Sequence, residues 1–191
     1  MKAKFGIERE LENKLCVTEY KNGSGDFHFH SQIELCIVND GEIEALVNNK
    51  HQHLKKGEVS VALSNETHMY NPVGDSRFTV LVIPVNLCEE FIDLVNLQKI
   101  TNPFIRETNI TDKISLYIEE IKKSDDNIVL KIGYVYLILG LVIKSVAFEK
   151  SHFHSDTNFS SKLLLYINNN FSKDISLSSI ASHFGSTHLL F

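Results

Sequence analysis

Three histidines and one glutamate form the pattern in this sequence with the clearest chemical meaning. His28 and His30 are two residues apart, Glu34 follows four residues later, and His68 lies further along the chain. On a β-strand, residues two apart point to the same face, so the first two imidazoles would lie side by side. Three imidazoles and one carboxylate suit a divalent transition metal with open coordination positions. The alternative is that the same side chains line a pocket or hydrogen-bond the strands without a metal.

Short β-strands are predicted to carry these residues. Between about Lys14 and Val85, β-like runs alternate with turn signals rich in Asn, Asp and Gly. Strands this short and this evenly spaced favour a sandwich or barrel of antiparallel hairpins. The predicted runs cover residues 15–20, 27–30, 33–38, 43–47, 51–54, 59–63 and 78–85, and residues 39–42 are a predicted turn. The apolar candidates for lining an inner pocket are Cys36, Val38, Val61, Leu63, Val80 and Val82.

From Asn86 to Lys150 the apolar residues change to helical spacing. Apolar side chains recur at intervals of three and four residues, which predicts amphipathic helices. The two groups with this spacing are Cys88, Phe91, Ile92 and Val95, and then Ile114, Tyr117, Ile118 and Ile121. A longer apolar stretch predicts a helix over residues 127–148, with Asp125 or Asp126 as its cap.

The predicted helix over 127–148 is apolar on almost every side. Its uninterrupted apolar run covers only residues 132–143, whereas a membrane span needs about 20 residues, so we expect no membrane contact. One interpretation is a core helix packed on the outside of the strands. The other, which we favour, is a dimer seam, because a helix that is apolar all round must be covered on more than one side. The residues assigned to this seam are Ile132, Val135, Leu139, Val142 and Val146.

The first histidine motif resembles that of the cupin barrels. From His28 to Gly41 the sequence follows the pattern HxHx3Ex6G, and Gly57 and His68 occupy positions of the second cupin motif. The second motif departs from the family pattern, because Leu63 stands where proline is usual and Asn65 where glycine is usual. The resemblance implies a β-barrel with His28, His30, Glu34 and His68 inside it.

The C-terminal residues resemble the beginning of a helix-turn-helix. Ala181 and Gly185 are four residues apart; a small residue allows two helices to approach closely, and glycine takes the turn between them at little steric cost. Thr187 is placed to cap the recognition helix. The predicted core of the motif is Leu177, Ile180, Ala181, Phe184, Gly185 and Phe191, and the predicted DNA contacts are Ser186, Thr187 and His188.

Together these two motifs resemble the AraC/XylS family of bacterial transcription regulators. In that family a barrel senses a small effector, helices pair two subunits, and tandem helix-turn-helices bind DNA. The resemblance implies an α+β fold: a cupin-like antiparallel β-barrel followed by helices, with a truncated helix-turn-helix at the C-terminus. The implied division is an effector-sensing barrel over 1–85, a helical dimerisation segment over 86–150, a linker over 151–158 and a partial first helix-turn-helix over 159–191.

The charge of the chain argues against strong DNA binding by this sequence alone. Its net charge is -5 over 191 residues, and the tail 159–191 has two lysines and one aspartate, a net charge of 2 − 1 = +1. Since Lys and Arg contacts to phosphate supply most of the affinity for DNA, we expect this fragment to bind DNA weakly or not at all. Three cysteines without the spacing of a metal site (Cys16, Cys36 and Cys88) suit a reducing cytoplasm.

Two functions remain open on the sequence. The first is an effector-responsive, non-enzymatic regulator of AraC type that acts as a homodimer and needs no cofactor. The second is a metal-dependent cupin enzyme, such as a dioxygenase or isomerase, in which His28, His30, Glu34 and His68 hold a divalent transition metal. We favour the regulator, because an enzyme has no need of the alanine–glycine helix-turn-helix pattern.

Overall fold

A computed structural model describes residues 3–11, 14–91, 98–150 and 173–185, together with Leu163, Tyr166, Ile167 and Asn170. Ten strands occur in this part of the chain. They are β1 (Lys4–Phe5), β2 (Cys16–Lys21), β3 (His28–Phe29), β4 (Ile33–Val47), β5 (Lys50–Lys55), β6 (Val59–Ala62), β7 (His68–Ile83), β8 (Gln98–Ile100), β9 (Phe104–Ile105) and β10 (Phe148–Lys150). The helices are α1 (Ile7–Leu11), α2 (Thr108–Lys123), α3 (Ile128–Ser145) and α4 (Leu177–His183).

Eight of the strands form one sheet around the two long strands β4 and β7. The order is β1-β3-β7-β4-β6-β9, with β2 paired to β7 and β5 paired to β4. All of these pairs are antiparallel except β1 with β3, which is parallel. The sheet is therefore mixed, whereas the sequence predicted an antiparallel barrel. The α+β class is confirmed, since helices follow the sheet.

The predicted turn at residues 39–42 lies inside strand β4. The pairing of β4 with β7 shifts register between Val38 and Asp40 and again between Asp40 and Glu42, which marks a β-bulge. Gly41 has φ +73°, and a Cβ at this position would lie 2.3 Å from the carbonyl oxygen of Asp75. The Asn-Asp-Gly signal therefore bends one long strand instead of ending it, because both halves of β4 still pair with β7.

The segment predicted as helical also contains strands. Helix α2 buries Ile114, Ile118 and Ile121, as their spacing predicted. Strand β8 pairs with β10, so the chain leaves helix α3 at Ser145 and does not continue helically to residue 148. Pairing with a distant strand overrides the local helical pattern there, and β9 likewise adds to β6.

Helix α3 is capped by Asn127, and not by either of the predicted aspartates. The Asn127 side chain accepts a hydrogen bond from the backbone N–H of Leu130 at 3.0 Å. Asp125 has φ +43°, so it lies in the turn between α2 and α3. The cap is thus one residue closer to the helix than Asp126, because the turn takes up the two aspartates.

The core lies between the sheet and the pair of helices α2 and α3. Strand residues Leu35, Leu81 and Ile83 are fully buried there, as are Ile114 and Ile138 from the helices. A second, inner cluster lies on the other side of the sheet. It consists of Cys36, Val38, Ile43, Ala45, Leu54, Tyr70, Phe78, Val80 and Val82.

The stripe predicted as a dimer seam faces the chain's own core. Val135, Leu139 and Val142 are fully buried, Val146 is buried and Ile132 is half-buried. Val135, Leu139, Val142 and Val146 pack in one core with residues of the sheet and α2, so these four are not available to a partner. The apolar residues that α3 does expose lie elsewhere on its surface: Ile128, Val129, Leu130, Tyr136 and Leu137. We call these five residues the outer face of α3.

By length and composition alone, helix α3 is long and apolar enough to cross a membrane. Its 18-residue window has a mean hydropathy of 1.9, and 22% of the window is buried. The core helices of soluble proteins share these properties. The fully buried Val135, Ile138, Leu139 and Val142 are what a helix packed against a core requires.

Part of the predicted helix-turn-helix lies in the described residues. Helix α4 begins after Ser176, whose side chain accepts a hydrogen bond from the backbone N–H of Ser179 in a capping box. Ile180 and Ala181 are buried, as predicted for its core. Leu177 is not, since as the first helical residue it projects to solvent and is 67% exposed.

The turn after helix α4 agrees with the predicted role of glycine, because Gly185 has φ +61°. The rings of His183 and Phe184 both pack near Tyr166, with centroids 4.3 Å and 5.6 Å from it. The second helix stays a prediction: Ser186, Thr187, His188 and Phe191 lie outside the described residues, as does the predicted linker 151–158.

Candidate functional site

The four residues of the histidine–glutamate pattern come together inside the sheet. His28 in β3 is paired with His68 at the start of β7, and Glu34 lies near the start of β4. One ligand atom from each of His28, His30, Glu34 and His68 lies within 4.8 Å of the others. The imidazole centroids of His28 and His68 are 4.4 Å apart, and those of His30 and His68 are 4.9 Å apart. We call these four residues the His–Glu cluster.

Glu34 is the centre of this cluster. Its Oε2 lies 3.3 Å from Nε2 of His30, and its Oε1 lies 3.3 Å from Nε2 of His68. All three side chains are buried. The carboxylate therefore bridges two imidazoles that come from different parts of the chain.

Backbone carbonyls orient two of the imidazoles. Nδ1 of His68 is 2.9 Å from the carbonyl oxygen of Glu66, and Nδ1 of His28 is 2.7 Å from that of Asp26. Because a carbonyl oxygen only accepts, Nδ1 of each ring must carry the proton that is donated to it. The Nε2 atom of His68 then faces Glu34, and that of His28 is free to act as a ligand.

Burial and charge act against each other in the cluster. Burial alone would raise the pKa of Glu34, but His68 and His30 beside it hold that pKa well below its usual range. Burial would lower the pKa of His68, and the negative charge of Glu34 raises it instead. The pKa of His28 is lowered by burial and by the charge of His68. The charge of Glu34 thus favours the protonated form of His68, and burial favours the uncharged form of His28.

The His–Glu cluster has the donors that a divalent transition metal requires. Nδ1 of His30 and Nε2 of His68 are buried without a hydrogen bond of good geometry among the described residues. The hydrogen bonds from Nδ1 of His28 and His68 to carbonyl oxygens are the second-shell contacts that orient metal-binding histidines. The residues present therefore fit a metal bound by three nitrogens and one carboxylate oxygen.

A cavity of about 200 Å³ adjoins the His–Glu cluster. His28 and Glu34 belong to both the cavity wall and the cluster. The nine lining residues are Tyr20, Gly23, Ser24, Gly25, His28, Glu34, Tyr70, Phe78 and Val80. The rings of Tyr20 and Phe78 stack with centroids 5.2 Å apart, and those of Tyr70 and Phe78 are 6.4 Å apart. The cavity thus has an aromatic wall and an ionisable end.

The N-terminal segment covers the cluster from outside. Strand β1 pairs with β3, so that Lys4 is level with His28 and Phe5 with Phe29. A Cβ on Gly6 would lie 3.1 Å from Cδ2 of His28, so the backbone runs directly against that imidazole. Glu10 holds the segment in place by accepting hydrogen bonds from both the backbone N–H and the hydroxyl of Ser31.

Some residues predicted to line the pocket do not do so. Of the six apolar candidates, only Val80 lines the cavity. Val61 and Leu63 belong to the core beneath the helices, on the opposite side of the sheet from the cavity. His30 and His68 belong to the cluster without lining the cavity.

The aromatic wall, and the place of residues 23–25 in the lining, were not predicted from the sequence. Tyr20 and Phe78 are cross-strand partners of β2 and β7. A prediction that β2 and β7 pair would have brought the two rings together, since cross-strand neighbours on one face are in contact. Strand β7 was predicted only from residue 78 onward, so Tyr70 had no assigned position.

Comparison with known proteins identifies the class of the domain. Residues 16–84 match the Cupin domain family model. The matched residues include the His–Glu cluster and the cavity, and this part of the chain is similar to cupin domains. The sequence matches no curated protein significantly.

Three solved structures are similar over most of the chain. The AraC-like transcriptional activator CuxR is 14% identical, with a TM-score of 0.51, and the match covers 83% of this chain but 58% of CuxR. ToxT from Vibrio cholerae is 10% identical, with a TM-score of 0.57 and coverage of 92% of this chain and 73% of ToxT. ToxT from Vibrio cholerae O395 bound to (E)-4-(8-methylnaphthalen-1-yl)but-3-enoic acid gives 10% identity, a TM-score of 0.58 and coverage of 92% and 73%. The predicted resemblance to AraC-type regulators is thus confirmed at the level of the fold.

Proposed function

We propose that this chain is the sensing and pairing part of an AraC-type transcription regulator. The observation that carries the proposal is the extent of the structural likeness. Similarity to CuxR and ToxT runs beyond the cupin domain and covers 83–92% of the chain. A cupin enzyme would need the barrel alone, whereas a regulator needs the helices that follow it.

On this proposal, a small molecule enters the cavity beside the His–Glu cluster. ToxT has been solved with a ring-containing carboxylic acid bound, which supports a ligand-binding role for a related fold. The effector would act by binding more tightly to one arrangement of the barrel and DNA-binding module than to another. Its binding energy would then shift the balance between a DNA-competent and a DNA-incompetent state.

We further propose that a second copy of the chain covers the outer face of α3. Apolar side chains cluster there: Val129 is 76% exposed, and Leu137 is half exposed. Large apolar patches on a surface mark interaction sites, and a twofold homodimer is the commonest such assembly. The homodimer of the regulator would therefore use this face, and the stripe named from the sequence would stay in the core.

We propose that the region beginning with α4 binds DNA. We also propose that the protein is located in the cytoplasm. The buried Ile180 and Ala181 and the left-handed Gly185 support the start of a helix-turn-helix. The three cysteines are free thiols, which suits a reducing compartment. With a net charge of +1, residues 159–191 would contribute little electrostatic affinity for DNA.

A transcription profile in the organism of origin tests this proposal. We expect deletion of the gene to change a small set of transcripts. Val80→Trp should change the same set, because the larger side chain fills the cavity; Val73→Trp, at an exposed strand position, is the control and should not. If neither the deletion nor Val80→Trp alters transcription, the regulator proposal is wrong.

The second candidate is a metal-dependent cupin enzyme, favoured by the His–Glu cluster alone. A metal held by His28, His30, Glu34 and His68 would supply a Lewis acid with open positions for substrate. The chain's own residues would orient the ligands, with Asp26 and Glu66 carbonyls fixing two imidazoles. Metal analysis of protein purified without chelator tests it. Stoichiometric iron or manganese that is lost in His30→Ala would favour the enzyme over the regulator.

A further inference from the structure

We infer that the effector cavity takes an uncharged, single-ring molecule bearing a hydroxyl group, such as a phenol, and rejects carboxylic acids. The inference rests on the proposed function, because it names the ligand class of the same cavity. It follows from the size of the cavity, the rings in its wall, the charges that line it and one buried hydroxyl group.

The size of the cavity limits the ligand to about one ring. Its volume is about 200 Å³, and an apolar cavity of ~150 Å³ in another protein holds benzene. One six-membered ring with one or two small substituents fits this space. The Gly23–Gly25 loop closes the wall without side chains beyond that of Ser24.

The wall favours a flat ring. Tyr20 and Phe78 stack on each other, and the Tyr70 ring lies on the other side of Phe78. Aromatic rings pack against one another in offset or edge-to-face arrangements, which adds to the gain from burying apolar area. A flat ligand in contact with Phe78 and Val80 would extend this packing.

The charges of the lining disfavour a carboxylate. None of the nine residues that line the cavity is Lys or Arg, and Glu34 is the acidic residue among them. Nε2 of His68 lies 3.3 Å from Oε1 of Glu34, and His68 does not line the cavity. A ligand carboxylate would therefore lose its hydration next to a like charge with no free cation to compensate.

A hydroxyl group matches the polar end of the cavity. The Tyr70 hydroxyl is buried and makes no hydrogen bond of good geometry within the described part of the chain. Ser60 and Glu34 lie beside this hydroxyl, which as a phenol keeps its proton at pH 7. A ligand hydroxyl can accept from Tyr70 and donate to Glu34 at once. An ammonium group only donates, so it cannot accept the Tyr70 proton and would compete with Tyr70 for Glu34.

Four size-matched probes test the inference on the purified chain in buffer with a chelator. Dissociation constants for phenol, toluene, benzylamine and benzoate are measured by NMR titration at pH 7. We expect phenol to bind about tenfold more tightly than toluene, the effect of one or two buried hydrogen bonds, and benzoate to bind most weakly. Tyr70→Phe should weaken phenol binding, because it removes one of the two hydrogen bonds, and should leave toluene binding unchanged.

The matched control is Tyr134→Phe, which removes a hydroxyl from a helix residue stacked on Tyr117 and away from the cavity. It should change none of the four constants. Benzoate or benzylamine binding more tightly than phenol would overturn the ligand class, while a positive transcription profile would leave the regulator intact. Binding of none of the probes, or equal loss in both tyrosine variants, would also overturn the inference.

Discussion

At the scale of single residues, Glu34 belongs to both the His–Glu cluster and the cavity wall. It contacts His30 and His68 at 3.3 Å and also lines the cavity. A buried carboxylate is stable only when it is paired, and the two imidazoles provide that pairing without a metal. The same geometry offers ligands to a metal and a hydrogen-bond acceptor to an organic molecule. Substitution of Glu34 is thus expected to affect both metal binding and the binding of an organic molecule.

The three cysteines should differ in reactivity, because burial separates them. Burial and the charge of Glu90 raise the pKa of Cys88 to about 12. At pH 8 only about one in 10,000 Cys88 thiols would be ionised, and the thiolate is the reactive form. Burial also raises the pKa of Cys36 well above its usual range, whereas Cys16 is half-buried. We expect a thiol reagent to label Cys16 alone in the native protein.

Labelling with Ellman's reagent checks this prediction, with one thiol reacting in buffer and three in guanidinium chloride. Cys16→Ser should abolish the native reaction. Rapid native labelling of Cys88 in that variant would contradict the packing of this side chain against the core.

Gly41 is the residue at which the backbone of the sheet tolerates no side chain. Both Gly41 and Gly74 have positive φ, but a Cβ on Gly41 would meet the Asp75 oxygen at 2.3 Å and one on Gly74 would meet nothing within 4 Å. Gly74→Ala should therefore cost about 1–2 kcal/mol for the left-handed backbone. Gly41→Ala should cost about 1–3 kcal/mol more, because a backbone atom cannot move aside easily.

Urea denaturation of the two variants measures this difference as a shift of the midpoint. Equal free energies of unfolding for Gly41→Ala and Gly74→Ala would show that the β-bulge of β4 is looser than described.

At the scale of elements, the long strands β4 and β7 and the helix α3 depend on their neighbours as much as on their own sequences. Strand β4 continues through an Asn-Asp-Gly signal because β7 pairs with both of its halves. Helix α3 ends at Ser145 because the chain then pairs with β8. In both cases a local signal gives way to pairing elsewhere in the fold.

The start of α3 gives an element-scale prediction. Asn127→Ala removes the side chain that caps the Leu130 N–H, so it should lower the free energy of unfolding by about 1 kcal/mol. Asp126→Ala is the matched control, since only the backbone oxygen of Asp126 accepts a hydrogen bond from the helix. Its effect should be within about 0.5 kcal/mol of zero. Thermal and urea unfolding compare the two, and a larger effect of Asp126→Ala would restore the aspartate as the cap.

At the scale of the whole molecule, the outer face of α3 is an exposed apolar surface that a binding partner would cover. Exposed Val129, Leu130 and Leu137 would lie next to water in an isolated chain. A second copy of the chain removes this cost, and so would a membrane. Sedimentation of the purified chain distinguishes a second copy of the chain from a membrane as the partner of this face.

We expect the chain to sediment as a dimer and Leu137→Lys to sediment as a monomer, because a lysine in an apolar interface loses its hydration without a partner. Val73→Lys is the control, since Val73 is an exposed apolar residue on strand β7, outside the helix. It should remain dimeric. A wild-type monomer in buffer, or one that floats with lipid vesicles, would contradict a dimer through this face.

Several features could be predicted from the sequence because they depend on local spacing. His28, His30 and Glu34 lie close together in the sequence, and their ligand atoms come together as the motif implied. Ile114, Ile118 and Ile121 recur at helical intervals and are buried as expected. Periodicity of two or 3.6 residues determines which side chains share a face, whatever the partner is.

Only the tertiary structure decided which face meets which partner. Helix α3 is apolar on every side, so its sequence could not tell that Val135 and Leu139 face the core and Val129 and Leu137 do not. The cavity likewise needs Tyr20 and Phe78 from strands that are far apart in the chain. Spacing along the sequence thus determined the grouping of His28, His30 and Glu34, because their pattern is local, whereas His68 joins them through the pairing of β3 with β7. The pairing of distant strands and helices determined the cavity and the exposed face, because long-range contacts leave no periodic signal in a single sequence.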